Sequence, residues 1–483
     1  MTTPSVAVIG TGFGGLAAVI ELKKQGVTDI VIFEKGDDVG GVWRENTYPG
    51  AACDVPSPFY SFSFEPNPRW PHRFSRQPAI LEYMRGIADK YDIRRHVRFG
   101  TEVTAAGFDD ATGKWTVTTA DGDTVVVDVL VSAVGQLSRP GFPEIEGADR
   151  FAGPAFHSAQ WDHDVDLAGK RVAVIGTGAS AIQFVPEIAP QVDRLTVFQR
   201  TAPHIIPRPD RAFAPWHQRM FEKLPITALG ERATWYGVTE GLSVAWVYAK
   251  PLAAAIRAIS KRHMRKQTAA KPGLFEKVWP TYRMGCKRVL FSDNYLPALT
   301  RPNVDLVTER ITRITETGVV TADGREHEVD VIIWGTGFKA TEFLAPMSIT
   351  GSGGRDLHRE WKAGARAYYG MTVPGFPNLF LMYGPNTNTG GGSIIYFLEV
   401  QARYLGRYVT HLAGAGGALA VRAEVEQAYD ERIQAELRDS VWSHCSSWYR
   451  QADGRITTNW PLLGIEYKAQ ARFDPADYEV VSR

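Results

Sequence analysis

The 483-residue sequence predicts an α/β fold with two similar units, each made of a strand, a glycine-rich turn, a helix and a second strand. The first observation is a GxGxxG turn at residues 10–15, which follows an apolar run rich in β-branched residues. The second is a similar turn at residues 176–181, again preceded by such a run. The third is a stretch at residues 205–282 that is rich in Trp, Arg and Lys and has no glycine fingerprint, which predicts a helical insertion.

The first unit begins with residues 6–9, whose continuous apolar pattern is typical of a buried parallel strand. A helix is predicted at residues 16–25, where Gly26 ends it, and the next strand at residues 30–33. The second unit repeats this order, with a strand, a helix and a strand at residues 171–175, 182–188 and 195–198. Two copies of this unit predict two Rossmann-like dinucleotide-binding domains.

The two units differ in the residue that ends the second strand. Glu34 lies 24 residues after Gly10, and Arg200 lies 24 residues after Gly176. A carboxylate at this position accepts hydrogen bonds from the hydroxyl groups of an unphosphorylated ribose, whereas a guanidinium binds a 2′-phosphate. The first unit is therefore predicted to bind FAD and the second NADPH. The alternative for Arg200 is an ordinary arginine on the surface.

A second repeated feature follows each unit. Residues 119–135 and 321–337 both have the pattern of a hairpin with an Asp-Gly turn, which leads into a buried strand that ends on glycine. A final strand is predicted at residues 374–381, and a helix is expected to begin near Ser393, after a run of three glycines. These features predict an FAD-binding domain at residues 1–140 and 331–483, an NADP-binding domain at residues 141–204 and 283–330, and the helical insertion at residues 205–282.

Composition excludes several classes of protein. The chain has 54 Lys and Arg against 53 Asp and Glu, so its net charge of +1 provides no field that would attract nucleic acid or an anionic membrane. The N-terminus lacks the pattern of a signal peptide, and no apolar stretch is long enough for a transmembrane helix. Three separated cysteines exclude a disulfide scaffold and a zinc site of the usual spacing. We expect reduced thiols in a cytoplasmic protein.

Two longer motifs narrow the reaction. Residues 151–162 read FAGPAFHSAQWD and match F-x-G-x-x-x-H-x-x-x-W-[PD] at every fixed position. Residues 40–54 match [AG]-G-x-W-x-x-x-x-[FY]-P-[GM]-x-x-x-D in full. The first pattern is the fingerprint of type I Baeyer–Villiger monooxygenases. Together with both glycine turns, these motifs make the sequence resemble that family over nearly the whole chain.

The resemblance implies an NADPH-dependent flavoprotein monooxygenase that acts on a ketone and O₂. In this family NADPH reduces FAD, O₂ adds to give a C4a-peroxyflavin, and one oxygen atom is inserted next to the ketone carbonyl to give an ester or lactone. The same oxygenating species acts on heteroatoms, so a flavin-dependent S- or N-oxygenating monooxygenase is the alternative. A third possibility is a flavoprotein that binds both nucleotides without catalysis. The identity of the ketone and the oligomeric state stay open at this stage.

The resemblance also assigns roles to charged residues. Residues 284–288 are similar to a family segment in which a Lys-Arg pair faces both cofactors, which makes Arg288 the catalytic cation and Asp54 its acidic partner. Physical chemistry agrees, because a peroxyanion followed by an oxyanion requires a fixed cation in a dry pocket. By the same match Lys287 helps Arg200 to hold the 2′-phosphate. Without the resemblance, Lys287 and Arg288 have the pattern of a basic pair on the surface.

The 151–162 motif lies between the two units, in the connection where the family has it. We interpret His157 as a residue that positions the relative motion of the domains and not as an acid–base group. Trp448, in a segment that resembles a mobile loop of the family, is expected to reach the nicotinamide cofactor, and its alternative role is core packing. The candidate fingerprint and hinge residues are Phe151, Gly153, His157, Trp161 and Asp162.

The candidate cofactor contacts come from both turns, the 40–54 motif and the charged segments. They are Gly10, Gly12, Phe13, Gly15, Glu34, Gly41, Val42, Trp43, Asp54, Tyr60, Val103, Gly176, Thr177, Gly178, Ala179, Ser180, Arg200, Thr201, Lys287, Arg288 and Trp448. The sequence departs from the family at Ala52, where many members have arginine. Ala181 replaces the third glycine of the second turn, a change that the fingerprint tolerates because alanine is small.

Overall fold

The computed structural model describes residues 3–444, 449–451 and 453–482. Strands and helices are numbered along the chain. The strands are β1 (Val6–Ile9), β2 (Ile30–Phe33), β3 (Val97–Arg98), β4 (Val103–Asp109), β5 (Lys114–Thr119), β6 (Thr124–Val127), β7 (Val129–Ser132), β8 (Ala155–His157), β9 (Arg171–Ile175), β10 (Arg194–Phe198), β11 (Ile205–Ile206), β12 (Leu290–Phe291), β13 (Val304–Val307), β14 (Ile311–Ile314), β15 (Gly318–Thr321), β16 (Glu326–Glu328), β17 (Val331–Trp334), β18 (Ser348–Thr350), β19 (Leu379–Leu381), β20 (Ala418–Val421) and β21 (Tyr478–Ser482). The α-helices are α1 (Phe13–Lys24), α2 (Val42–Glu45), α3 (Gln77–Lys90), α4 (Ala181–Ile188), α5 (Pro215–Lys223), α6 (Pro225–Val247), α7 (Lys250–Thr268), α8 (Leu274–Val278), α9 (Tyr295–Leu299), α10 (Leu357–Glu360), α11 (Ile394–Ala415), α12 (Ala423–Arg438) and α13 (Gly464–Gln470).

The first glycine turn belongs to a parallel sheet with the strand order β19-β7-β1-β2-β3. Successive residues of β1 point to opposite faces of this sheet. Val6 and Val8 pack in a cluster with residues of α1 and α11, whereas Ala7 and Ile9 pack with Trp115 of β5. Both faces are therefore covered, which explains why every residue of β1 and β7 is buried.

The second glycine turn belongs to a second parallel sheet, with the strand order β13-β10-β9-β17-β8. Val172 and Val174 of β9 pack with residues of α4 and α9, whereas Ala173 and Ile175 pack against the small sheet β14-β15-β16. The same strand–turn–helix–strand arrangement thus occurs twice, which confirms the predicted α/β fold with two Rossmann-like domains.

The predicted hairpins and the helical insertion are also present. β5 pairs antiparallel with β6, and β15 pairs antiparallel with β16. Residues 205–282 contain α5, α6, α7 and α8, and a short parallel pair of β11 and β12 attaches this insertion to the segment that directly follows Arg288. The helix expected near Ser393 is α11, which begins at Ile394.

The chain crosses from one sheet to the other near residues 133–155 and again near residues 335–343. Backbone hydrogen bonds join these two crossing segments. The Gly141 N–H donates to the Gly337 carbonyl oxygen at 2.7 Å, and the Lys339 N–H donates to the Arg139 carbonyl oxygen at 3.0 Å. An isolated antiparallel bridge joins Pro140 and Phe338. The two crossing segments therefore form a paired connection between the domains.

One expectation from the sequence is wrong in detail. The domain boundary at residue 331 assigns β17 to the first domain, but β17 pairs with β9 and β8 in the second sheet, so the boundary lies after Trp334. The error arose because the two hairpin segments look alike in sequence while the strands that follow them belong to different sheets. Cys53 is a free, buried thiol.

Among the described residues, no single helix is both long and apolar enough to cross a membrane. α6 and α7 are long and apolar enough only when they are counted as one helix, but the chain bends by 111° between them.

Candidate active site

The first glycine turn, between β1 and α1, has no room for side chains at two of its glycines. Gly10 has a φ of +100°, and a Cβ there would lie 2.7 Å from the Ala133 carbonyl oxygen. A Cβ on Gly15 would overlap the carbonyl oxygen of Gly10. Gly12 is the N-cap of α1 and has no side chain with which to bind the first N–H groups of the helix, which are left for an anion. This turn therefore fits the pyrophosphate of a dinucleotide.

We expect Gly15→Ala to prevent stable FAD binding, because the new methyl group forces α1 away from β1. The purified variant should lack the two absorption bands of bound flavin. Gly86→Ala is the matched control, since Gly86 lies in α3 with no heavy atom within 4 Å of the new methyl group. Equal flavin content in both variants would show that Gly15 does not shape the site.

Glu34 directly follows β2, is buried, and already accepts four hydrogen bonds. Its Oε2 accepts from the N–H (3.1 Å) and the hydroxyl group (2.6 Å) of Thr11. Its Oε1 accepts from the Gly36 N–H and from Arg44 Nη1, both at 2.9 Å. Burial opposes ionisation, but these hydrogen bonds and the charge of Arg44 outweigh it and lower the pKa of Glu34. An ionised carboxylate at this position fits the ribose hydroxyl groups of FAD.

Predicted residues of the 40–54 motif lie beside the first turn. A Cβ on Gly41, whose φ is +51°, would lie 3.0 Å from the Cα of Gly12. The Trp43 indole N–H donates to the Tyr60 hydroxyl oxygen at 3.1 Å. The ring of Phe13 packs edge-on against Tyr60, with 5.4 Å between the ring centroids. The structure thus brings these predicted residues together in one wall next to α1.

The second glycine turn has the same construction. Gly176 has a φ of +110°, and a Cβ there would overlap the Gly335 carbonyl oxygen. Ala181 begins α4 and is fully buried, and its Cβ lies 3.3 Å from the position that a Cβ on Gly335 would take. Gly178 and Ala179 are exposed at the tip of the turn. Alanine in place of the third glycine therefore keeps the close packing that the turn requires, and the turn fits a second dinucleotide.

Arg200 and Lys287 bring two positive charges close together at the end of β10. Burial, and then the nearby charge of Arg200, lower the pKa of Lys287. The Lys287 Nζ also lies 5.1 Å from the centroid of the Tyr282 ring. No carboxylate forms an ion pair with either cation among the residues that the structure describes. Two adjacent cations without an acidic partner are what a 2′-phosphate needs, so NADPH fits this position. Thr201 follows Arg200 directly, and its carbonyl oxygen accepts a hydrogen bond from Thr177.

Asp54 and Arg288 form a bidentate ion pair between the two domains. Arg288 Nε donates to Asp54 Oδ2 and Nη2 donates to Oδ1, both at 2.8 Å. The Asp54 carboxylate raises the pKa of Arg288 above its ordinary value, against the effect of burial. Nevertheless 41% of the Arg288 side chain is exposed, so the guanidinium keeps an edge that a ligand can reach. A cation fixed in this way can stabilise negative charge on a reacting group.

Two tyrosines that the sequence did not identify as site residues lie near this ion pair. Tyr449 is buried, and burial raises its pKa to about 12, with the charge of Arg288 acting in the opposite direction. Burial also raises the pKa of Tyr383, and Arg288 again opposes the effect. Both side chains therefore keep their protons at neutral pH and are able to act as hydrogen-bond donors.

Gln183 on α4 holds the segment that ends at Asp54, and the sequence gives no sign of this role. Its Oε1 accepts from the Ala52 N–H (3.1 Å) and from the Tyr48 hydroxyl group (3.0 Å), and its Nε2 donates to the Ala52 carbonyl oxygen at 3.0 Å. A Cβ on Gly50 would lie 2.7 Å from the Gln183 carbonyl oxygen. Because α4 belongs to the second domain, these contacts fix Asp54 relative to that domain.

We expect Gln183→Ala to lower the free energy of unfolding by about 1–3 kcal/mol, because it leaves partly buried polar groups of Ala52 unpaired. Urea unfolding of the FAD-bound protein measures this change. Gln191→Ala is the control, since Gln191 is exposed and its side chain bonds only to the Glu187 carbonyl oxygen in the described structure. An equal stability of the two variants would contradict the role of Gln183.

A buried polar network adjoins Tyr383 and was also not predicted. Tyr383 and Asn386 have φ angles of +66° and +54°, which non-glycine residues rarely adopt and which concentrate at functional sites. The Tyr383 hydroxyl group donates to Asn388 Oδ1 at 3.0 Å, and Asn386 Nδ2 donates to the Asn459 carbonyl oxygen at 3.0 Å. The only sequence signal was a polar run, GPNTN, directly after an apolar strand. The network fixes the wall from which Tyr383 faces Arg288.

His157 ends β8 and lies against the paired connection between the domains. Its ring packs edge-on against Phe142 and Phe338, with centroid distances of 5.4 and 5.7 Å. Nδ1 accepts a hydrogen bond from the Ala159 N–H at 3.1 Å, which places the proton of the neutral ring on Nε2. Burial lowers the pKa of His157, so the ring is neutral at physiological pH. A neutral, fully buried ring suits a positioning role.

The other fingerprint residues pack around the second domain. The ring of Trp161 contacts Phe184 of α4, with centroids 5.3 Å apart, and Phe184 also contacts Tyr48. Phe151 packs against the cluster that contains β14 and β15, and a Cβ on Gly153 would overlap the Asp330 carbonyl oxygen. Asp162 is exposed and accepts a hydrogen bond from the Asp164 N–H.

Three predicted cofactor residues have less distinctive surroundings. Val42 begins α2, and Ser180 is the N-cap of α4 without a side-chain capping bond. Val103 begins β4, and its side chain is buried in the apolar core beside the first sheet. Trp448 lies outside the described residues.

Known proteins share this architecture. Residues 3–229 match the family described as flavin-binding monooxygenase-like. The chain is 45% identical to a protein from Streptomyces coelicolor named Baeyer-Villiger monooxygenase, over 99% of this chain and 92% of that protein. It is 43% identical to a protein of the same name from Pseudomonas aeruginosa, over 99% of this chain and 91% of that protein.

Solved structures agree with these sequence relatives. An oxidized steroid monooxygenase bound to NADP superimposes with a TM-score of 0.88 at 30% identity, over 100% of both chains. A closed crystal structure of cyclohexanone monooxygenase superimposes with a TM-score of 0.87 at 29% identity, again over 100% of both chains. A third neighbour, OTEMO in complex with FAD and NADP, has a TM-score of 0.88 at 28% identity and covers 99% of this chain and all of the other.

Proposed function

This chain belongs to the Baeyer–Villiger monooxygenases and is an FAD- and NADPH-dependent oxidoreductase, and from this premise we propose its substrate class and its working residues. We propose that it inserts one oxygen atom of O₂ next to the carbonyl group of a small-molecule ketone, which gives an ester or a lactone. Two sequence relatives are named for this reaction, and two structural neighbours are named for cyclohexanone and for a steroid. These names support a cyclic ketone as the substrate class.

The bidentate pair of Asp54 and Arg288 is the observation that carries this proposal. When bound, FAD and NADPH supply the electrons and the site at which O₂ is activated. The chain contributes a guanidinium whose position is fixed by Asp54, so no reorganisation is needed when negative charge develops on the reacting oxygen. In this role Arg288 is a catalytic residue, and Asp54 orients it.

The nicotinamide nucleotide has its own set of residues in this proposal. Arg200 and Lys287 bind the 2′-phosphate, and Thr201 extends the same segment. The N-terminus of α4 and the turn at residues 176–181 bind the pyrophosphate. Trp448 stays a predicted contact of the nicotinamide cofactor.

The fingerprint residues have a role in the relative movement of the two domains in this proposal. We propose that His157, through Phe142 and Phe338, links β8 to the paired connection, so that the two domains move as units about it. The units are residues 1–140 and 335–483 for FAD and residues 141–204 and 283–334 for NADPH, with the insertion at 205–282. We also propose that the protein works in the cytoplasm, which cell fractionation with compartment markers would test.

Oxygenation of sulfur or nitrogen is the second candidate. The match of residues 3–229 to the broader flavin-binding monooxygenase-like family supports it. In such a reaction a nucleophilic sulfide or amine replaces the ketone, and no carbon–carbon bond migrates.

The experiment that separates these candidates is a product screen with the purified yellow protein, NADPH and O₂. Cyclic and aryl ketones of graded size and a matched series of thioethers and amines are the substrates, and mass spectrometry identifies the products. We expect esters or lactones from at least one ketone. Sulfoxides or N-oxides alone would overturn the ketone assignment, and NADPH oxidation without any oxygenated product would favour a flavoprotein that only binds its nucleotides.

A further inference from the structure

The corner between α5 and α6 exposes large apolar side chains in an insertion that carries none of the proposed catalytic residues. Ile226 is 72% exposed, and Trp216, Leu224 and Leu229 are 57%, 56% and 45% exposed. α5 ends at Lys223 and α6 begins at Pro225, so three of these side chains lie within six residues of one another. Several large apolar side chains exposed in one short segment mark an interaction surface, whereas single exposed apolar residues do not. These four residues are called the apolar corner below.

The helix α6 continues this surface. Every exposed residue from Pro225 to Val238 is uncharged. The two charged residues in that stretch point towards the protein: Glu231 accepts a hydrogen bond from Arg73 Nε at 3.1 Å, and Arg232 Nη1 donates to the Pro58 and Ser61 carbonyl oxygens, both at 2.9 Å. This arrangement is the reverse of an ordinary surface helix, whose charged residues face water.

The charge of the insertion indicates what covers the apolar corner. Residues 205–282 contain thirteen Lys and Arg against five Asp and Glu, a net charge of +8, whereas the rest of the chain has a net charge of −7. α7 alone has six basic residues and no acidic residue. Within α5, Arg219 and Lys223 share a helix face with Trp216, because they follow it by three and seven residues. The whole-chain charge of +1 therefore hides a strongly basic insertion, which also carries the apolar corner.

We propose that the apolar corner docks the protein on the surface of an anionic lipid bilayer. Exposed Trp, Leu and Ile side chains beside Lys and Arg are the combination that enters the boundary between headgroups and acyl chains. Anionic headgroups complement the +8 charge of the insertion, and no residue needs to cross the bilayer. The surface would hold the enzyme where lipophilic small molecules accumulate. The inference concerns this surface alone and does not depend on which atom the enzyme oxygenates.

The test uses the FAD-bound protein and flotation with two kinds of vesicle, phosphatidylcholine alone and phosphatidylcholine with phosphatidylglycerol. We expect at least about tenfold stronger partitioning into the anionic vesicles, and weaker partitioning as salt screens the charges. Ile226→Asp with Leu229→Asp should abolish binding, and Arg219→Glu with Lys223→Glu should remove the preference for anionic lipid. Val126→Asp is the matched control, because Val126 is 56% exposed on β6, far from the insertion in sequence.

Retained flavin content and unchanged oxidation of a water-soluble substrate show that each variant is folded. The proposal is overturned if the unaltered protein does not float with anionic vesicles, or if the Ile226 and Leu229 variant floats as well as the Val126 control. It is also overturned if the unaltered protein binds no vesicles, and light scattering shows that it is a dimer which the Ile226→Asp, Leu229→Asp variant disrupts. In that case a second copy of the chain covers the apolar corner.

Discussion

Arg288→Ala should slow ester formation by roughly 100-fold or more while NADPH still reduces the bound flavin. The guanidinium is held at 2.8 Å by two hydrogen bonds to Asp54, so its charge is in place before the reaction begins. Removing one preorganised group that stabilises developing negative charge costs roughly 100- to 1,000-fold in rate. Stopped-flow absorbance measures flavin reduction, and chromatography measures the ester. We expect NADPH to be consumed with release of hydrogen peroxide in place of product.

Two further variants and a control test how much the fixed geometry of the ion pair contributes to ester formation. Arg288→Lys keeps the charge but loses the bidentate fork, so we expect partial activity. Asp54→Asn keeps the size of the side chain but leaves the guanidinium without its ion pair, and we expect a loss between those of the two Arg288 variants. Arg283→Ala is the control, because Arg283 is exposed in the same segment. Ester formation by Arg288→Ala at the unaltered rate would refute the catalytic assignment.

Arg200→Ala should raise the KM for NADPH far more than the KM for NADH. A charge-assisted hydrogen bond contributes about 1.5–3 kcal/mol, which corresponds to a loss of roughly 10- to 150-fold in preference for NADPH. Lys287→Ala should give a change in the same direction, because Arg200 and Lys287 lie close enough for the charge of one to lower the pKa of the other. Steady-state kinetics with both nucleotides measures the ratio.

Arg194→Ala is the control for this experiment. Arg194 begins β10, the strand that Arg200 follows, but its guanidinium bonds to Asp305 at 2.7 Å, so it contributes no unpaired charge. The ratio of kcat/KM for NADPH to that for NADH should be unchanged in this variant. If Arg200→Ala weakens both nucleotides equally, Arg200 does not contact the 2′-phosphate.

The parts of the site that could be predicted from sequence are those in which local backbone geometry dictates residue type. Gly10 and Gly176 have φ angles of +100° and +110°, and a Cβ at either position would collide with a neighbouring carbonyl oxygen, so glycine is required and the pattern is visible in one sequence. Glu34 and Arg200 follow from their position at the end of the second strand. Each of these features lies within about 25 consecutive residues, so a single sequence is enough to predict it.

Contacts between distant segments could not be predicted in this way. Gln183 holds Ala52 across 131 residues of chain, and nothing in an amide side chain on a helix announces such a partner. Arg44 is one of the variable positions of its motif, yet it pairs with Glu34. The boundary at residue 331 was wrong for a related reason, because membership of a sheet is decided by pairing with β9 and not by the sequence of β17 itself.

The measurement that tests the account most directly is oxygenation of a cyclic ketone under ¹⁸O₂ with NADPH. We expect a lactone that carries one ¹⁸O atom in its ring and an unlabelled carbonyl oxygen. We expect Arg288→Ala to form it roughly 100-fold more slowly or slower still, while its flavin is still reduced. A lactone without the label, or labelled product from Arg288→Ala at the unaltered rate, would contradict the account.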